Sequence, residues 1–408
     1  MQLVAYGAQD IYLTGNPQIT FFKVVYRRHT NFSMEAIAQT FNGNVGYGQR
    51  VTSTISRNGD LVHRMYLETS FEAVNGTSDG SANIGSALIN NIELEIGGQR
   101  IDRHTGLWME TWAELTEENP GSITAQQQAA DFEAGVATGR GTKFQNMSMM
   151  GGVAGVGTLN GSEHAGFYIP LQFWFCRNPG LALPLIALQY HEVKVVLNIN
   201  SLKDVHGGQA TSGGALSMEL FCDYIYLDTD ERRRFAQVSH EYLIEQVQFE
   251  EKGGGTNMEL NFNHPVKELI WVGKPQAQGT ISQGPSTPTA LPLDSKYQLK
   301  LNGHDRFSAR PTAYFTRTQV WQYHTGPGGL IPASGNDTSS GDTIAVYSFA
   351  LKPEEHQPSG TCNFSRIDTA QLSETFVSGG SAKPVTIFAV NYNVLRIMSG
   401  MGGLAYSN

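Results

Sequence analysis

The chain of 408 residues is poor in charge and has no long apolar run. Only 16% of its residues are Asp, Glu, Lys or Arg, and the net charge is -9. A protein that mainly grips nucleic acid usually carries a basic face, so we expect no direct contact with nucleic acid. No stretch approaches the roughly 18 consecutive apolar residues that a membrane-spanning helix needs.

Cysteine is also scarce, with Cys176, Cys222 and Cys362 far apart and no C-x-x-C pair among them. This spacing is typical of reduced thiols in a reducing compartment, and it disfavours a zinc site or a disulfide framework. Residues 1–6 lack the basic and apolar stretches of a secretory signal. We therefore expect a cytosolic environment for the protein.

The sequence offers only fragments of a catalytic site. It has no Walker A motif, and its 11 histidines are dispersed, which disfavours a jelly-roll enzyme of the cupin type. Asp102-x-His104 is a possible acid–base pair, but we interpret it as polar residues at the end of a strand. We predict that the chain is not an enzyme and that it has no catalytic residue, cofactor or metal.

Glycine is abundant, with 45 residues, and it separates runs that alternate apolar and polar side chains. Val51–Ile55 and Ile92–Ile96 alternate with period two, which predicts strands with one buried face. Asn58-Gly59 predicts a hairpin that leads into Leu61–Phe71.

Other segments complete the secondary-structure prediction. Phe167–Phe175 and Ala313–Tyr323 are predicted strands, whereas the apolar stripe of Thr105–Leu115 predicts a helix. Residues 117–165 are rich in Gly, Ala, Gln, Ser and Met, and they predict a long surface insertion with a short helix at Ala125–Ala134.

The two halves of the chain resemble each other. Val62–Leu67 aligns with Val266–Trp271 at an offset of 204 residues, and Leu94–Gln99 aligns with Leu299–His304 at an offset of 205. Each half offers about eight strands with long loops between some of them, which is the jelly-roll arrangement. The predicted fold is therefore all-β, with two tandem eight-stranded jelly-roll β-sandwiches joined by a short helical linker.

A charged stretch near residue 230 separates the halves. Asp228 and Glu231, three residues apart, predict a capping box at the start of a short helix. Three arginines then fall toward the end of that helix, where the macrodipole favours cations: Arg232, Arg233 and Arg234. We predict a helical hinge over residues 228–240. A metal held by Asp228-x-Asp230 is a weaker alternative, because acids beside arginines more often form salt bridges.

Residues 1–30 are apolar and aromatic, but they do not alternate cleanly. Gly15-Asn16-Pro17 marks a turn within them. We expect an arm that packs beneath its own domain or against a neighbour, through Ile11, Tyr12, Ile19, Phe21, Phe22 and Arg27.

Several segments carry a family resemblance: Gly7–Lys23, Arg27–Phe32, Ile169–Phe175, Asp223–Leu227 with Asp230–Ala236, and Asn363–Asp368. They occur in the expected order and resemble segments of the major capsid proteins of nucleocytoplasmic large DNA viruses. The resemblance implies two side-by-side jelly rolls and a homotrimer that forms a pseudo-hexagonal capsomer. Such capsomers contact neighbouring capsomers and tile an icosahedral shell over an internal membrane.

The same resemblance implies which parts of the chain face the inside of the shell and which face the outside. The arm would face inward, toward minor capsid proteins or the internal membrane, and the long loops would face outward. The expected division is an arm at 1–30, a first jelly roll at 31–227, the hinge at 228–240 and a second jelly roll at 241–408. The rival hypothesis is a jelly-roll carbohydrate-binding or host-attachment protein, because a fold alone does not fix function.

Overall fold

The computed structural model of the chain describes residues 7–72, 74–75, 83–118, 142–151, 164–206, 212–275, 284–331, 341–377 and 381–406. Most of the predicted insertion at 117–165, including the helix expected at Ala125–Ala134, lies outside these residues.

The described α-helices are short except for two. They are α1 (Ile11–Thr14), α2 (Ile84–Ala87), α3 (Gly106–Thr116), α4 (Lys143–Ser148), α5 (Trp174–Arg177), α6 (Leu202–His206), α7 (Thr229–Gln237) and α8 (Gln319–Tyr323). A π-helical turn at Tyr314–Thr318 leads directly into α8, and 3-10 turns lie at Pro179–Leu181 and Phe364–Arg366.

The strands form two groups, one on either side of α7. The first group is β1 (Phe32–Gln39), β2 (Phe41–Asn42), β3 (Arg50–Thr54), β4 (Leu61–Phe71), β5 (Val74–Asn75), β6 (Ile89–Ile96), β7 (Gln99–Thr105), β8 (His164–Pro170), β9 (Leu183–Pro184), β10 (Val193–Ile199), β11 (Ser212–Gly213) and β12 (Leu216–Leu227).

The second group follows the linker. It is β13 (His240–Lys252), β14 (Met258–Glu259), β15 (Pro265–Gly273), β16 (Ser295–Leu301), β17 (His304–Asp305), β18 (Arg310–Pro311), β19 (Leu330–Ile331), β20 (Gly341–Asp342), β21 (Ile344–Ser348), β22 (Cys362–Asn363), β23 (Ala370–Phe376), β24 (Val385–Met398) and β25 (Met401–Leu404).

Each group makes a sandwich of two antiparallel sheets, and the strand order corresponds between the groups except for β2, an additional edge strand of the first group. In the first sandwich the orders are β1-β12-β4-β8 and β2-β3-β10-β6-β7. In the second they are β13-β24-β15-β21 and β14-β23-β16-β17. Even a bulge recurs, in β4 between Val62 and Met65 and in β15 between Val266 and Glu268. The repeat found in the sequence is thereby confirmed, and the fold is a double jelly roll.

The alternating runs place their apolar side chains in the cores as expected. Ile92, Leu94 and Ile96 in β6 are each 0% exposed and belong to the core of the first sandwich. Leu299 and Leu301 in β16 occupy the corresponding core of the second. Period-two alternation therefore locates the sandwich interiors correctly.

The hairpin predicted at Asn58-Gly59 is wrong. β3 pairs with β2 and β10, whereas β4 pairs with β12 and β8, so the turn carries the chain from one sheet to the other. A tight approach explains the glycine, because a Cβ on Gly59 would lie 2.8 Å from the Cβ of Tyr224. Turn residues report a sharp bend and do not report whether the flanking strands pair.

The strand predicted at Ala313–Tyr323 is also wrong, since this segment is helical. Phe315 and Gln319, one turn apart, are both buried, whereas Trp321 is 80% exposed. The β-branched residues in this run suggested a period of two, but packing against the second core imposes a helical period instead.

The strand predicted at Phe167–Phe175 ends at Pro170. The three consecutive aromatic residues beyond it, Phe173, Trp174 and Phe175, are all buried, which a strand with one exposed face does not permit. Phe173 is the N-cap of α5, and Trp174 and Phe175 are its first two residues.

The helix predicted at Thr105–Leu115 is confirmed as α3. Its N-cap is Thr105, whose side-chain oxygen accepts a hydrogen bond of 3.1 Å from the Trp108 N–H. One of its faces packs into the first core, and the other covers the outer face of the β13-β24-β15-β21 sheet of the second sandwich. Trp108 there lies 5.2 Å from Phe388, measured between ring centroids. This helix joins the two sandwiches through a shared apolar core.

Candidate assembly surfaces

The N-terminal arm makes a short helix and then a run without regular secondary structure, and it does not contact the cores. α1 is supported by the Thr14 hydroxyl, which donates to the Asp10 carbonyl at 2.7 Å. Pro17 follows the helix, and no regular element is described between α1 and β1. The arm therefore leaves the body of the first sandwich at the start of β1.

The apolar side chains predicted for this arm all point into solvent. Their exposed fractions are 63% for Ile11, 92% for Tyr12, 70% for Ile19, 87% for Phe21 and 98% for Phe22. Arg27 is exposed as well. Of the two placements expected from the sequence, packing beneath its own domain is not what the structure shows. Burying such side chains is worth about 1.5–3 kcal/mol each, so the arm is a strong candidate for contact with another molecule.

This apolar surface continues onto β1, which is an edge strand of its sheet. Phe32 and Met34 are 50% and 49% exposed, respectively. An edge strand presents unpaired backbone groups as well as side chains, so this edge is a second candidate contact surface.

The linker helix α7 begins at Asp228, as predicted, but its cap differs from the predicted capping box. The Asp228 carboxylate accepts a hydrogen bond of 2.8 Å from the Thr229 N–H rather than from Glu231. Arg232 reaches back to the first sandwich, where its Nε lies 2.9 Å from Oδ1 of Asp60. Arg233 and Arg234 are exposed.

The far end of α7 also rests on the first sandwich. Phe235 packs against a small cluster that includes Leu61 and Ile225. His240 stacks on Phe235 at 5.3 Å between ring centroids, and its Nε2 lies 2.8 Å from the Phe235 carbonyl oxygen. The linker is thus held to the first sandwich by the ion pair of Arg232 and by the apolar packing of Phe235, and His240 of β13 stacks on the other side of the linker.

Buried charges flank the apolar junction between the sandwiches. Glu245 in β13 lies 3.1 Å from Arg177 of the first sandwich and 2.9 Å from Lys267, which is 0% exposed. Burial would raise the pKa of the Glu245 carboxyl, but Lys267, His356 and Arg177 lower it to about 2. The guanidinium of Arg177 also lies 4.7 Å from the ring of Trp112 in α3.

A buried histidine lies between two carboxylates on the second sandwich. The Nε2 of His324 is 2.9 Å from Glu268, and its Nδ1 is 3.0 Å from Glu354. Burial would lower the pKa of His324, but these two carboxylates raise it to about 9. The following backbone contacts the end of α3, since the Gly326 N–H donates to the Leu115 carbonyl at 2.7 Å. The charged histidine therefore supports the loop that receives α3.

We expected Asp102 and His104 to be polar turn residues at the end of a strand, and the structure differs. Both lie inside β7 with almost no exposed surface, and His104 Nε2 is 2.9 Å from Asp102 Oδ2. The other Asp102 oxygen accepts a hydrogen bond of 3.2 Å from the Val247 N–H, across the junction. A pair so enclosed contributes to the packing of the two sandwiches.

Within the described ranges, no group of three His, Cys, Asp or Glu residues is arranged to hold a metal ion. The helices of the same residues are all too short or too polar to cross a membrane.

Sequence reasoning missed the junction because its residues look ordinary in isolation. The one local signal is Lys267-Glu268, which interrupts an otherwise apolar strand. Charged residues at that position of a central strand require buried partners, and those partners come from distant parts of the chain.

The strand order, the helical linker and the exposed arm define a class of protein, the double jelly-roll capsid proteins of viruses. A family model for the N-terminal part of major capsid proteins matches residues 20–228. A second model, for large eukaryotic DNA virus major capsid proteins, matches residues 231–403.

Curated relatives agree over the whole length. The chain is 52% identical to the major capsid protein of Pyramimonas orientalis virus over 425 residues, covering 100% of this chain and 99% of the relative. It is 42% identical to the major capsid protein of Paramecium bursaria Chlorella virus 1 over 469 residues, with the same coverage. The chain therefore belongs to the major capsid protein family of large eukaryotic DNA viruses, as the resemblance implied.

Solved structures support the same conclusion. A chain of the quasi-atomic model of the PBCV-1 virus capsid has a TM-score of 0.72 and 36% identity, covering 95% of this chain and 100% of that one. The Faustovirus major capsid protein has a TM-score of 0.66 at 12% identity, covering 96% and 94%, and shows that the fold is shared.

The His324 cluster predicts a dependence of stability on pH. Because the folded pKa of about 9 exceeds the ordinary 6.5, the cluster contributes stability below pH 6.5 and loses that contribution as the pH rises through 9. His324→Gln should therefore lower the free energy of unfolding by up to about 3 kcal/mol near pH 6 and by much less near pH 10. Urea unfolding of both proteins at the two pH values measures the difference.

The matched control is His29→Gln, which changes an exposed histidine of the arm. It should leave the free energy of unfolding unchanged at both pH values. An equal deficit of His324→Gln at both pH values would contradict the role given to its charge.

Proposed function

We propose that this chain is the structural subunit of a virus shell and acts through self-assembly. It forms homotrimers whose six jelly rolls make a pseudo-hexagonal capsomer, and the capsomers tile an icosahedral virion shell over an internal membrane. Assembly takes place in the cytoplasm of the infected cell. Membership of the family supports the capsid role. The homotrimer, the icosahedral tiling, the internal membrane and assembly in the cytoplasm are our proposal.

The observation that carries the proposal is the exposed arm. Contiguous apolar surface of this extent is rare on a monomer and marks a site of interaction. We propose that the arm faces the interior of the shell and contacts minor capsid proteins or the membrane. Lys23, Arg27 and Arg28 give it local positive charge in an otherwise acidic chain, which suits acidic segments or anionic headgroups.

The proposed function requires no catalysis, no cofactor and no direct contact with nucleic acid. The candidate acid–base pair of Asp102 and His104 is enclosed between the sandwiches, which favours a structural role. We propose that the functional parts are an arm at residues 1–30, a first jelly roll at 31–227, a hinge at 228–240 and a second jelly roll at 241–408.

The hinge is proposed to help set the angle between the two sandwiches within a capsomer. Arg232 supports this role by fixing α7 to Asp60, whose side chain is only 7% exposed. Its effect adds to the larger apolar contact of α3.

The mass of the purified protein in solution tests the proposed function. A homotrimer requires a mass near three times 44.6 kDa, and electron micrographs should show pseudo-hexagonal particles. A stable monomer with measurable affinity for a sugar would instead favour the carbohydrate-binding alternative.

Deletion of residues 1–25 should weaken assembly and leave the sandwiches folded. The deleted side chains contact neither core, so the denaturation midpoint should stay within error of the intact chain. Light scattering and electron microscopy measure assembly, and circular dichroism measures folding. Normal trimers and normal shells from the truncated chain would refute this role of the arm.

Replacing Arg232, Arg233 and Arg234 with alanine should disturb trimer formation more than the stability of either sandwich. Arg232→Ala alone should reproduce most of the effect, because it breaks the pair with Asp60 at a cost of about 1 kcal/mol. Arg233→Ala is the matched control and should behave as the unmodified chain. Unchanged trimers from the triple variant, measured by analytical ultracentrifugation, would exclude a hinge role for these residues.

A further inference from the structure

The two jelly rolls differ in how one equivalent sheet face is covered. In the second sandwich, β15 and β24 are buried along nearly their whole length on both faces. In the first sandwich, β4 and β12 alternate between buried residues and residues that are half-buried or exposed, so only their inner face is fully covered. The difference lies on the outer face, where α3 packs on the second sandwich.

Strand register identifies the equivalent residues of the two faces. Ile270 is paired with Phe388 on one side and Val346 on the other, and all three are 0% exposed under α3. At the same place in the first sandwich, Tyr66 is paired with Phe221 and Pro170. The offset from Tyr66 to Ile270 is the same 204 residues that relates the two halves of the sequence.

The face on the first sandwich is aromatic and open among the residues that the structure describes. Tyr66 stacks on Phe221 with ring centroids 5.4 Å apart, and Tyr168 beside them is 39% exposed. A cavity of about 610 Å³ opens over this face and is lined by Arg64, Tyr66, Tyr168, Asp223, Trp112 and Glu354. The last two residues belong to the junction between the sandwiches, so the open face continues an interface that the chain already makes.

The chain also carries a counterpart of α3. α3 lies between β7 and β8, and the helical segment Tyr314–Tyr323 lies between the equivalent strands β17 and β21. α3 buries Trp108 and Trp112 against the next sandwich. The counterpart segment carries Trp321, which is 80% exposed in the single chain. A tryptophan left in water on a short helix is typical of an anchor residue of an interface.

We infer that Trp321 of one copy docks on the open face of a second copy, against Tyr66, Phe221 and Tyr168. This inference rests on the proposed homotrimer and names the surfaces that close it. The helix of the first sandwich covers the second sandwich within a chain, and the helix of the second sandwich covers the first sandwich of the next chain. Because the contact joins two different surfaces, it is heterologous, and it closes into a ring after three copies.

A charged residue beside the open face also favours Trp321 as its occupant. Within the chain, the guanidinium of Arg177 lies 4.7 Å from the ring of Trp112. On the open face, Arg64 lines the cavity and is exposed, so it is available to an incoming indole in the same way. The apolar arm of a neighbour is the competing occupant, and cross-linking separates the two.

A photoreactive benzophenone amino acid in place of Trp321 tests where this residue lies in the assembled protein. We expect cross-links between chains that map to peptides of β4 or β12, around Tyr66 and Phe221. The same amino acid in place of Leu351, which is 75% exposed, is the matched control and should not give these products. Cross-links from position 321 that map to the arm, or that stay within one chain, would overturn the inference.

Substitution gives an independent measurement. Trp321→Ala should raise the concentration at which half of the trimer dissociates by about tenfold or more, as expected for loss of an anchor residue. Tyr66→Ala should have a similar effect, and the double variant should be weaker than the unmodified chain by less than the product of the two single factors. Leu351→Ala should have none. Circular dichroism of the monomers verifies that each variant is folded.

The outcomes distinguish this inference from the proposed function. If Trp321→Ala formed trimers as stable as those of the wild-type chain, the docking contact would be overturned and the capsid role would remain intact. A wild-type chain that stays monomeric at every concentration and forms no shell would overturn both.

Discussion

The packing of α3 against the second sandwich is the contact on which the rest of the structure depends. The helix belongs to the first sandwich, yet Trp108 and Trp112 complete a core whose other members lie on β15, β21 and β24. Separating the sandwiches would expose several large side chains at about 1.5–3 kcal/mol each. The helical linker adds Arg232 and Phe235 to this contact but supplies far less apolar area.

Polar groups at the junction give it a single geometry. Apolar surfaces tolerate sliding, whereas a buried charge is costly unless its partner stands at the right place. Arg177 of the first sandwich meets Glu245 of the second at 3.1 Å, and Asp102 accepts the backbone N–H of Val247. The apolar core therefore holds the sandwiches together, and these bonds define how they are oriented.

Sequence patterns predicted much of this fold because its regular parts obey local rules. The 204-residue repeat and the alternation in β6 gave the double jelly roll, and the apolar stripe gave α3. The failures have one cause, namely contacts between distant segments. Asn58-Gly59 bends the chain between sheets, the helical turns at Tyr314–Tyr323 follow from the second core, and the burial of Asp102 depends on a sandwich that begins far along the chain. Which exposed residues meet a partner is equally a property of the folded surface.

In the single chain, α3 covers the outer sheet face of the second sandwich, whereas no described helix covers the equivalent face of the first sandwich. Ile270 and Phe388 are fully buried, while Tyr66 and Phe221 at the equivalent positions are only half-buried. By strand alternation, the exposed Phe32 and Met34 of β1 lie on the same outer face as Phe221, where the arm departs. The uncovered apolar surface of the first sandwich thus gathers on one sheet, and the exposed Trp321 lies on the other sandwich. A molecule arranged in this way has different unfilled surfaces on its two sandwiches, which is the condition for head-to-tail assembly of identical copies.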